Sequence, residues 1–205
     1  ESLTVDSTNE KDFGRLIEIF GKDSLQIVSF TITEKGYSLV NGKGESLPGV
    51  EDDFVNGPKK AMSYMGKVAA LLYARYEAGQ KPVAMVSMDN CSHNGDKLYA
   101  AINTFAEKWA ANGVAEAGFV SYVNDKSKVS FPWSMIDKIT PRPDASVEAI
   151  LKEDGIEELE PVITSKNTYV APFVNAEECE YLVIEDAFPN GKPEALTKGG
   201  LMFTE

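Results

Sequence analysis

Apolar positions recur at two different spacings along this chain, and the switching between them predicts alternating helices and strands. Between Asn9 and Gly21, Phe13, Leu16, Ile17 and Phe20 fall three or four residues apart, as on one helix face. Leu25 to Thr33 (LQIVSFTIT) is dense in β-branched residues and reads as the first strand. Glu34 to Gly57, rich in Gly, Asn and Asp, reads as a long loop. Pro58 suits the first turn of a helix running to about Gly79, with Met62, Met65, Ala69, Leu72 and Tyr76 on one face. Pro82 to Met88 (PVAMVSM) predicts a second, buried strand. Asn94 to Asn112 predicts a third helix, striped by Leu98, Ile102, Phe105 and Trp109 and ended by Gly113.

Strands separated by helices of that length imply parallel crossovers, hence an α/β sheet. Further along, the periodic segments shorten. Val129 to Phe131 and Met135 to Ile139 are short extended candidates, and Asp144 caps a helix to about Glu153. Strand-like pieces follow at Val162 to Thr164, Tyr169 to Phe173 and Tyr181 to Ile184, with a turn at Pro189-Asn190-Gly191. The expected organisation is a crossover part over 1–125 and a strand-rich extension over 126–205.

In an open α/β sheet, ligands lie beyond the carboxyl ends of the strands. Here those ends lead into Glu34, Lys35, Gly36 and Tyr37, and into Asp89, Asn90, Cys91, Ser92, His93, Asn94 and Gly95. The second set opens a helix, whose N-terminal N–H groups favour anionic or hydroxyl-rich ligands. A purely structural account also covers it, with Asn94 as the helix cap and Asp89 and Asn90 as turn formers. The one approach to a dinucleotide turn, Gly42-Lys43-Gly44-Glu45-Ser46-Leu47, lacks its third glycine and follows no strand. There is no phosphate loop of the Walker type and no GxSxG elbow. Cys91 and Cys179 form no CxxC, and with the single His93 they supply no metal-ligand spacing, so no metal is expected. Glu34, Asp53, Asp89, Asp137, Glu185 and Asp186 offer carboxylates for glycoside hydrolysis, but a sequence does not set the separation that chemistry needs.

Composition narrows the classes. The 205 residues are 43% apolar and 25% charged, which excludes whole-chain disorder, collagen-like structure and a disulfide scaffold. A net charge of -12 repels nucleic-acid phosphate. No apolar run approaches the roughly 20 residues of a membrane span, and no signal peptide is recognisable. The expectation is a reduced, cytoplasmic protein with no nucleic-acid or membrane partner. The chain starts at Glu1 and stops at Phe203-Thr204-Glu205, which reads as a piece of something longer.

Four stretches then resemble one family in the right order, from about residue 25 to the end. Ile27 to Tyr37 resembles the TxTEKGY stretch of the long-chain polyol and hexuronate dehydrogenases, the family of mannitol 2-dehydrogenase, fructuronate reductase and tagaturonate reductase. Met88 to Gly95 is similar to its C-D-N-x-x-x-N-G loop, with Met88 in place of the usual cysteine. Phe131 to Pro141 resembles FPxSMVDRITP, with Ile-Asp-Lys for Val-Asp-Arg, and Phe173 to Phe203 resembles the stretch containing VIEDxFPxGRP.

The resemblance implies the C-terminal part of a Rossmann-like cofactor domain with a mixed, strand-rich second half. It implies NAD, with NADP as the alternative, and hydride exchange with a sugar alcohol or hexonate such as mannitol/fructose or mannonate/fructuronate. Its dinucleotide turn would lie upstream. Its lysine base, in a K-x4-N-x2-H motif, would lie in a helical C-terminal domain of the same polypeptide. Carried over residue by residue, Asp137 with Asn90 or Asn94 would be catalytic, Asn90 being favoured. Thr33, Glu34, Ile136 and Lys138 would face the cofactor, and Lys35 and Tyr37 the substrate. The Glu180-to-Asp186 and Phe188-to-Pro193 wording leans towards the hexuronate reductases. The fragment alone is expected to be inactive. The competing readings are a non-catalytic sugar-binding or truncated domain and, more remotely, a carbohydrate hydrolase.

Overall fold

The computed structural model describes residues 5–136, 142–164, 167–175 and 182–204. In chain order the elements are α1 (Glu10–Phe20), β1 (Ile27–Phe30), α2 (Val50–Asn56), α3 (Tyr64–Glu77), β2 (Val83–Ser87), α4 (Asn94–Ala111), α5 (Gly118–Asn124), β3 (Val129–Ser130), β4 (Ser134–Ile136), α6 (Ala145–Glu153), β5 (Val162–Ile163), β6 (Tyr169–Val170), β7 (Leu182–Glu185), α7 (Glu194–Lys198) and β8 (Met202–Thr204). They form two compact units, Glu1–Met135 with Leu182–Glu205, and Ile136–Tyr181.

In the first unit β1, β2 and β3 lie side by side in that order, all parallel, with Ile27 opposite Ala84 and Val83 opposite Val129. The α/β expectation therefore holds, with helices making both crossovers. β2 shows why its sequence is apolar up to its last residue: successive side chains point to opposite faces, and both faces are covered. Val83 and Met85 join the core made with α3, α4 and α5. Ala84 and Val86 pack on Ile184 of β7, beside Phe188 and Phe203. The predicted α4 stripe is that core's centre, with Leu98, Ile102, Phe105 and Trp109 all fully buried. β4, β7 and β8 form a second three-stranded sheet.

The ends of β1 and β2 away from the site are tied by Arg75. Its guanidinium, fully buried, donates to the carbonyls of Phe20, Lys22, Leu25, Lys81 and Pro82 at 2.5–3.0 Å. All five N–H groups are thus satisfied, which is what makes a buried cation tolerable.

Three expectations need correction. The loop over 34–57 contains a 3-10 turn at Glu34–Tyr37 and the helix α2. Only two apolar residues, Val50 and Phe54, are buried on that helix, too few for a periodic signal, while Glu51, Asp52 and Asp53 sit favourably at its positive end. The helix predicted from Pro58 is broken: Pro58–Lys60 is a separate 3-10 turn, and α3 starts after Ser63, whose Oγ accepts from Gly66 N–H. Met62 is accordingly 70% exposed rather than on a buried face. Finally, α5, α7 and β8 go beyond the predicted elements; all three are short.

The second unit holds α6, capped as predicted by Asp144, whose carboxylate accepts from Ser146 N–H at 2.8 Å. β5 and β6 pair antiparallel, and Arg142 lies over the Tyr169 ring at 4.8 Å.

Candidate functional site

Because β1, β2 and β3 are parallel, their carboxyl ends point the same way: Phe30 lies opposite Ser87, while β3 ends at Ser130, opposite Ala84, and the chain runs on to Ser134 beside Ser87. Ser87 is the polar last residue of an otherwise apolar strand, and it is fully buried. A buried hydroxyl requires partners, and these partners knit the edge together. Ser87 Oγ lies 2.5 Å from the Tyr37 hydroxyl. The Ser87 carbonyl accepts from the Ser134 hydroxyl beyond β3 and, more weakly at 3.4 Å, from Asn94 Nδ2.

Asp89 is the second knot. Its carboxylate accepts from Ile32 N–H at 2.9 Å and Thr33 N–H at 2.8 Å, both beyond β1, and from the Tyr37 hydroxyl. Thr33 stands at φ 65°, ψ 161°, a backbone conformation that is essentially glycine's alone. Tyr37 is 4% exposed. Burial first, and then the Asp89 carboxylate, push its hydroxyl well above the ordinary phenol range.

Asn94 is the third knot, and it is 1% exposed. Its Nδ2 donates to the Asp89 carbonyl at 3.0 Å and to Ser134 O and Oγ at 2.9 and 3.0 Å, while its Oδ1 accepts from Ser134 N–H at 3.1 Å. The side chain therefore faces the β2 and β3 loops instead of serving as the predicted helix cap; His93, at φ 55°, holds the cap position. The next residue must be small. A Cβ on Gly95 would run into the Phe131 carbonyl and the Trp133 ring. Trp133 is 43% exposed, with Nε1 donating to Asp96 at 3.1 Å and His93 edge-on at 4.4 Å.

The remaining predicted residues separate by exposure. Asn90 is exposed beside Asp89, and its side chain makes no hydrogen bond among the described residues. Glu34 pairs with Lys97 at 2.5 Å, and that contact holds its carboxyl below the usual range. Lys35 is exposed and makes no ion pair among the described residues. Glu34, Lys35, Tyr37, Lys97 and Thr104 line a groove of about 550 Å³. A cavity of about 640 Å³ is lined by Tyr99, Ser130, Phe131, Trp133, Glu185 and Phe188 among others. Ile136 closes β4, half-buried, in the second unit. Asp137 and Lys138, like Cys179, lie outside the described residues.

Thr33, Glu34, Lys35, Tyr37, Asn90 and Asn94 are thus all brought to one edge. Ser87 and Ser134, which the sequence does not single out, complete the network together with Asp89, which the sequence offers only as a turn former or a hydrolytic carboxylate. The available signals were a polar residue ending a buried strand and a serine two residues after a proline. Apart from Asp137, which lies outside the described residues, the carboxylates considered for hydrolysis have other partners. Asp53 is buried and accepts from Met62 N–H, Ser63 N–H and Ser63 Oγ, Glu185 accepts from Trp133 N–H, and Asp186 pairs with Lys192. Among the described residues no cluster of His, Cys, Asp and Glu could hold a metal, and no helix is long and apolar enough to cross a membrane.

A family model described as the mannitol dehydrogenase Rossmann domain matches residues 4–196. D-mannonate oxidoreductase of Thermotoga maritima is 49% identical over 183 residues, covering 89% of this chain and 34% of the relative. Mannitol 2-dehydrogenase of Cereibacter sphaeroides is 33% identical over 197 residues, covering 95% and 37%. Among solved structures, Pseudomonas fluorescens mannitol 2-dehydrogenase in ternary complex with NAD and D-mannitol superposes with a TM-score of 0.66 at 31% identity, covering 94% of this chain and 35% of that one. Substrate-free D-sorbitol dehydrogenase gives a TM-score of 0.70 at 26% identity, covering 93% and 36%. The chain spans about a third of the length of the curated relatives it matches.

Proposed function

This chain belongs to the mannitol dehydrogenase family, and on that premise we propose that the polypeptide carrying it moves a hydride between a nicotinamide cofactor and a hexonate/ketohexuronate pair. The observation that carries the reading is the edge where parallel β1 and β2 end beside the segment that follows β3, knitted by Ser87, Asp89 and Asn94 into a polar rim. Such an edge is where an α/β sheet receives a dinucleotide. Its exposed amide and hydroxyl-bearing turns suit the nicotinamide end and a polyhydroxylated substrate. They do not suit a pyrophosphate. Gly42 to Leu47 folds as a turn closed by an antiparallel Val40–Ser46 bridge, not as the strand-to-helix turn that cradles a pyrophosphate.

Nicotinamide, when bound, supplies or accepts the hydride; the protein orients it and handles one proton. Thr33 and Glu34 would hold the cofactor side of the rim; by resemblance, Ile136 and Lys138 would also serve the cofactor. Lys35 would face the substrate. Tyr37, whose hydroxyl is spent on Ser87 and Asp89, would support the turn from behind. Asn90, exposed and unengaged, would donate from its amide to the reacting oxygen, and Asn94 would hold the loop that carries it. Asp137 would accept from substrate hydroxyls. The proton would pass between that oxygen and a lysine of a helical domain in the same polypeptide, since this chain contains no K-x4-N-x2-H sequence. NAD is the favoured dinucleotide. The cytoplasm is the expected setting for a chain with only two cysteines and no recognisable signal peptide, and its charge of -12 disfavours a nucleic-acid partner.

A hexonate is placed ahead of mannitol because the relative named D-mannonate oxidoreductase is 49% identical and the mannitol 2-dehydrogenase 33%. The test is reduction of fructuronate and of fructose with NADH by the full-length polypeptide. A higher kcat/KM on fructuronate supports the reading. Preference for fructose would make it a polyol dehydrogenase. No nicotinamide turnover with either would sink it and favour a non-catalytic sugar-binding domain.

A further inference from the structure

Thr33 adopts a backbone that threonine avoids, and one carboxylate holds it there. A β-branched residue at φ 65°, ψ 161° is found only where its surroundings over-determine it. Here the surroundings are Asp89. Its Oδ1 takes the Thr33 N–H and its Oδ2 the Ile32 N–H, so two successive amides just beyond β1 converge on one side chain just beyond β2. The following turn is pinned at its far end as well, because the Tyr37 hydroxyl reaches the same Oδ2. Gly36, between them, fits because a Cβ there would collide with Ile32 at 2.8–3.0 Å. The turn from Thr33 to Tyr37 is thus a closed loop whose clasp lies just beyond the end of β2.

We propose that Asp89 is a positioning residue: by holding Thr33 in a glycine-like backbone it fixes the Thr33–Tyr37 turn against the end of β2 and so sets the cofactor-facing rim. This rests on the nicotinamide reading for the identity of what the rim meets, but not for the clasp itself. An asparagine at 89 presents one acceptor and one donor where two amides now donate, so one amide would lose its partner. Thr33 would then relax towards ordinary negative φ and carry Glu34 and Lys35 with it.

The decisive test is whether glycine at position 33 makes Asp89 dispensable, because glycine takes that backbone without a clasp. Amide exchange over residues 30–38 of this chain is measured first. Asp89→Asn should speed it at least tenfold, and in the Thr33→Gly background the same change should speed it threefold or less. Binding of NADH to the full-length polypeptide, followed by fluorescence titration, is the second readout. Asp89→Asn should raise the Kd about tenfold or more with threonine at 33, and threefold or less in the Thr33→Gly background. Thermal unfolding reports whether the variants are folded; if Asp89→Asn is not, Tyr37→Phe, which removes one arm of the clasp, should give a smaller increase in exchange. Equal Asp89→Asn effects in both backgrounds, or exchange unchanged by Asp89→Asn, overturn the proposal. NADH failing to bind the unmodified polypeptide overturns the nicotinamide reading alone, and the clasp is then judged on exchange.

Discussion

Arg75 and Asn190 donate to the same two carbonyls, Leu25 O and Pro82 O, although they lie on α3 and in the turn after β7. Arg75 Nη2 approaches at 2.9 and 2.7 Å, and Asn190 Nδ2 at 3.2 and 3.1 Å. Each carbonyl has two lone pairs, and each is used twice. The amino ends of β1 and β2 are thereby joined both to α3 and to the segment that leads into α7.

Replacing Arg75 should therefore be costly out of proportion to any charge effect. Arg75→Met leaves the Phe20 carbonyl without its buried donor, while Lys22 keeps the Leu25 N–H, Lys81 the Tyr122 hydroxyl, and Leu25 and Pro82 keep Asn190. A loss of about 3–5 kcal/mol is expected from five lost hydrogen bonds and one unsatisfied buried carbonyl. Arg75→Lys, with three donors for five positions, should fall between. Urea unfolding followed by far-UV circular dichroism measures both.

The two asparagines of the loop after β2 should separate cleanly. Asn94→Asp would set a carboxylate against the carbonyls of Asp89 and Ser134, and should cost about 2–4 kcal/mol of stability. Asn90→Ala, at an exposed side chain with no partner among the described residues, should change stability by no more than about 0.5 kcal/mol. In the full-length enzyme it should nevertheless lower kcat by about 10²-fold or more, the usual cost of losing one donor to a reacting oxygen. Denaturation curves and steady-state kinetics on both variants provide the comparison; unchanged kcat in Asn90→Ala would remove that residue from the chemistry.

Gly95→Ala should destabilise through overpacking, because the added methyl meets the Phe131 carbonyl and the Trp133 ring. The expected loss is about 1–3 kcal/mol. Trp133 is half-exposed and Trp109 fully buried, so a displaced 131–134 loop should alter the quenchable part of the tryptophan emission and leave the buried part unchanged. Acrylamide quenching reads that difference.

Alkaline pH should unfold the protein through its tyrosines. Burial raises the pKa of Tyr37, and that of Tyr122 to about 12, above the value of about 10 expected in an unfolded chain. A raised folded-state pKa contributes stability that is complete below pH ~10. It is lost above that, as the unfolded chain releases protons the native state retains. Each such tyrosine adds about 1.4 kcal/mol per pH unit to the slope over that window. Urea midpoints from pH 9 to 11.5 should fall steeply, and Tyr37→Phe should flatten the fall. A slope unaltered by that substitution would contradict the assignment.

How much of this was legible in the sequence depended on length and periodicity. α4 was predicted almost to the residue, because Leu98, Ile102, Phe105 and Trp109 bury one continuous face over 18 residues. β2 stood out because its covered faces demand an uninterrupted apolar run. α2 did not, since seven residues give two buried apolar side chains and no period. At the site, the polar residues after each strand were recognisable as a set. Their division into fixed and free was not: Asn90 and Asn94 sit four positions apart and are chemically identical, yet one is exposed and the other is bound on both ends of its amide.

The sequence by itself determined the α/β order, the edge on which polar chemistry collects and the family resemblance. Each of these follows from local spacing or from short motifs read along the chain. Only the tertiary structure decided that Asp89 clasps Thr33 across 56 positions, that Asn94 ties Ser134 across 40, and that Arg75 reaches Leu25 across 50. Such contacts exist because parallel pairing sets strand ends side by side, and buried polar groups then take whichever partners that edge supplies.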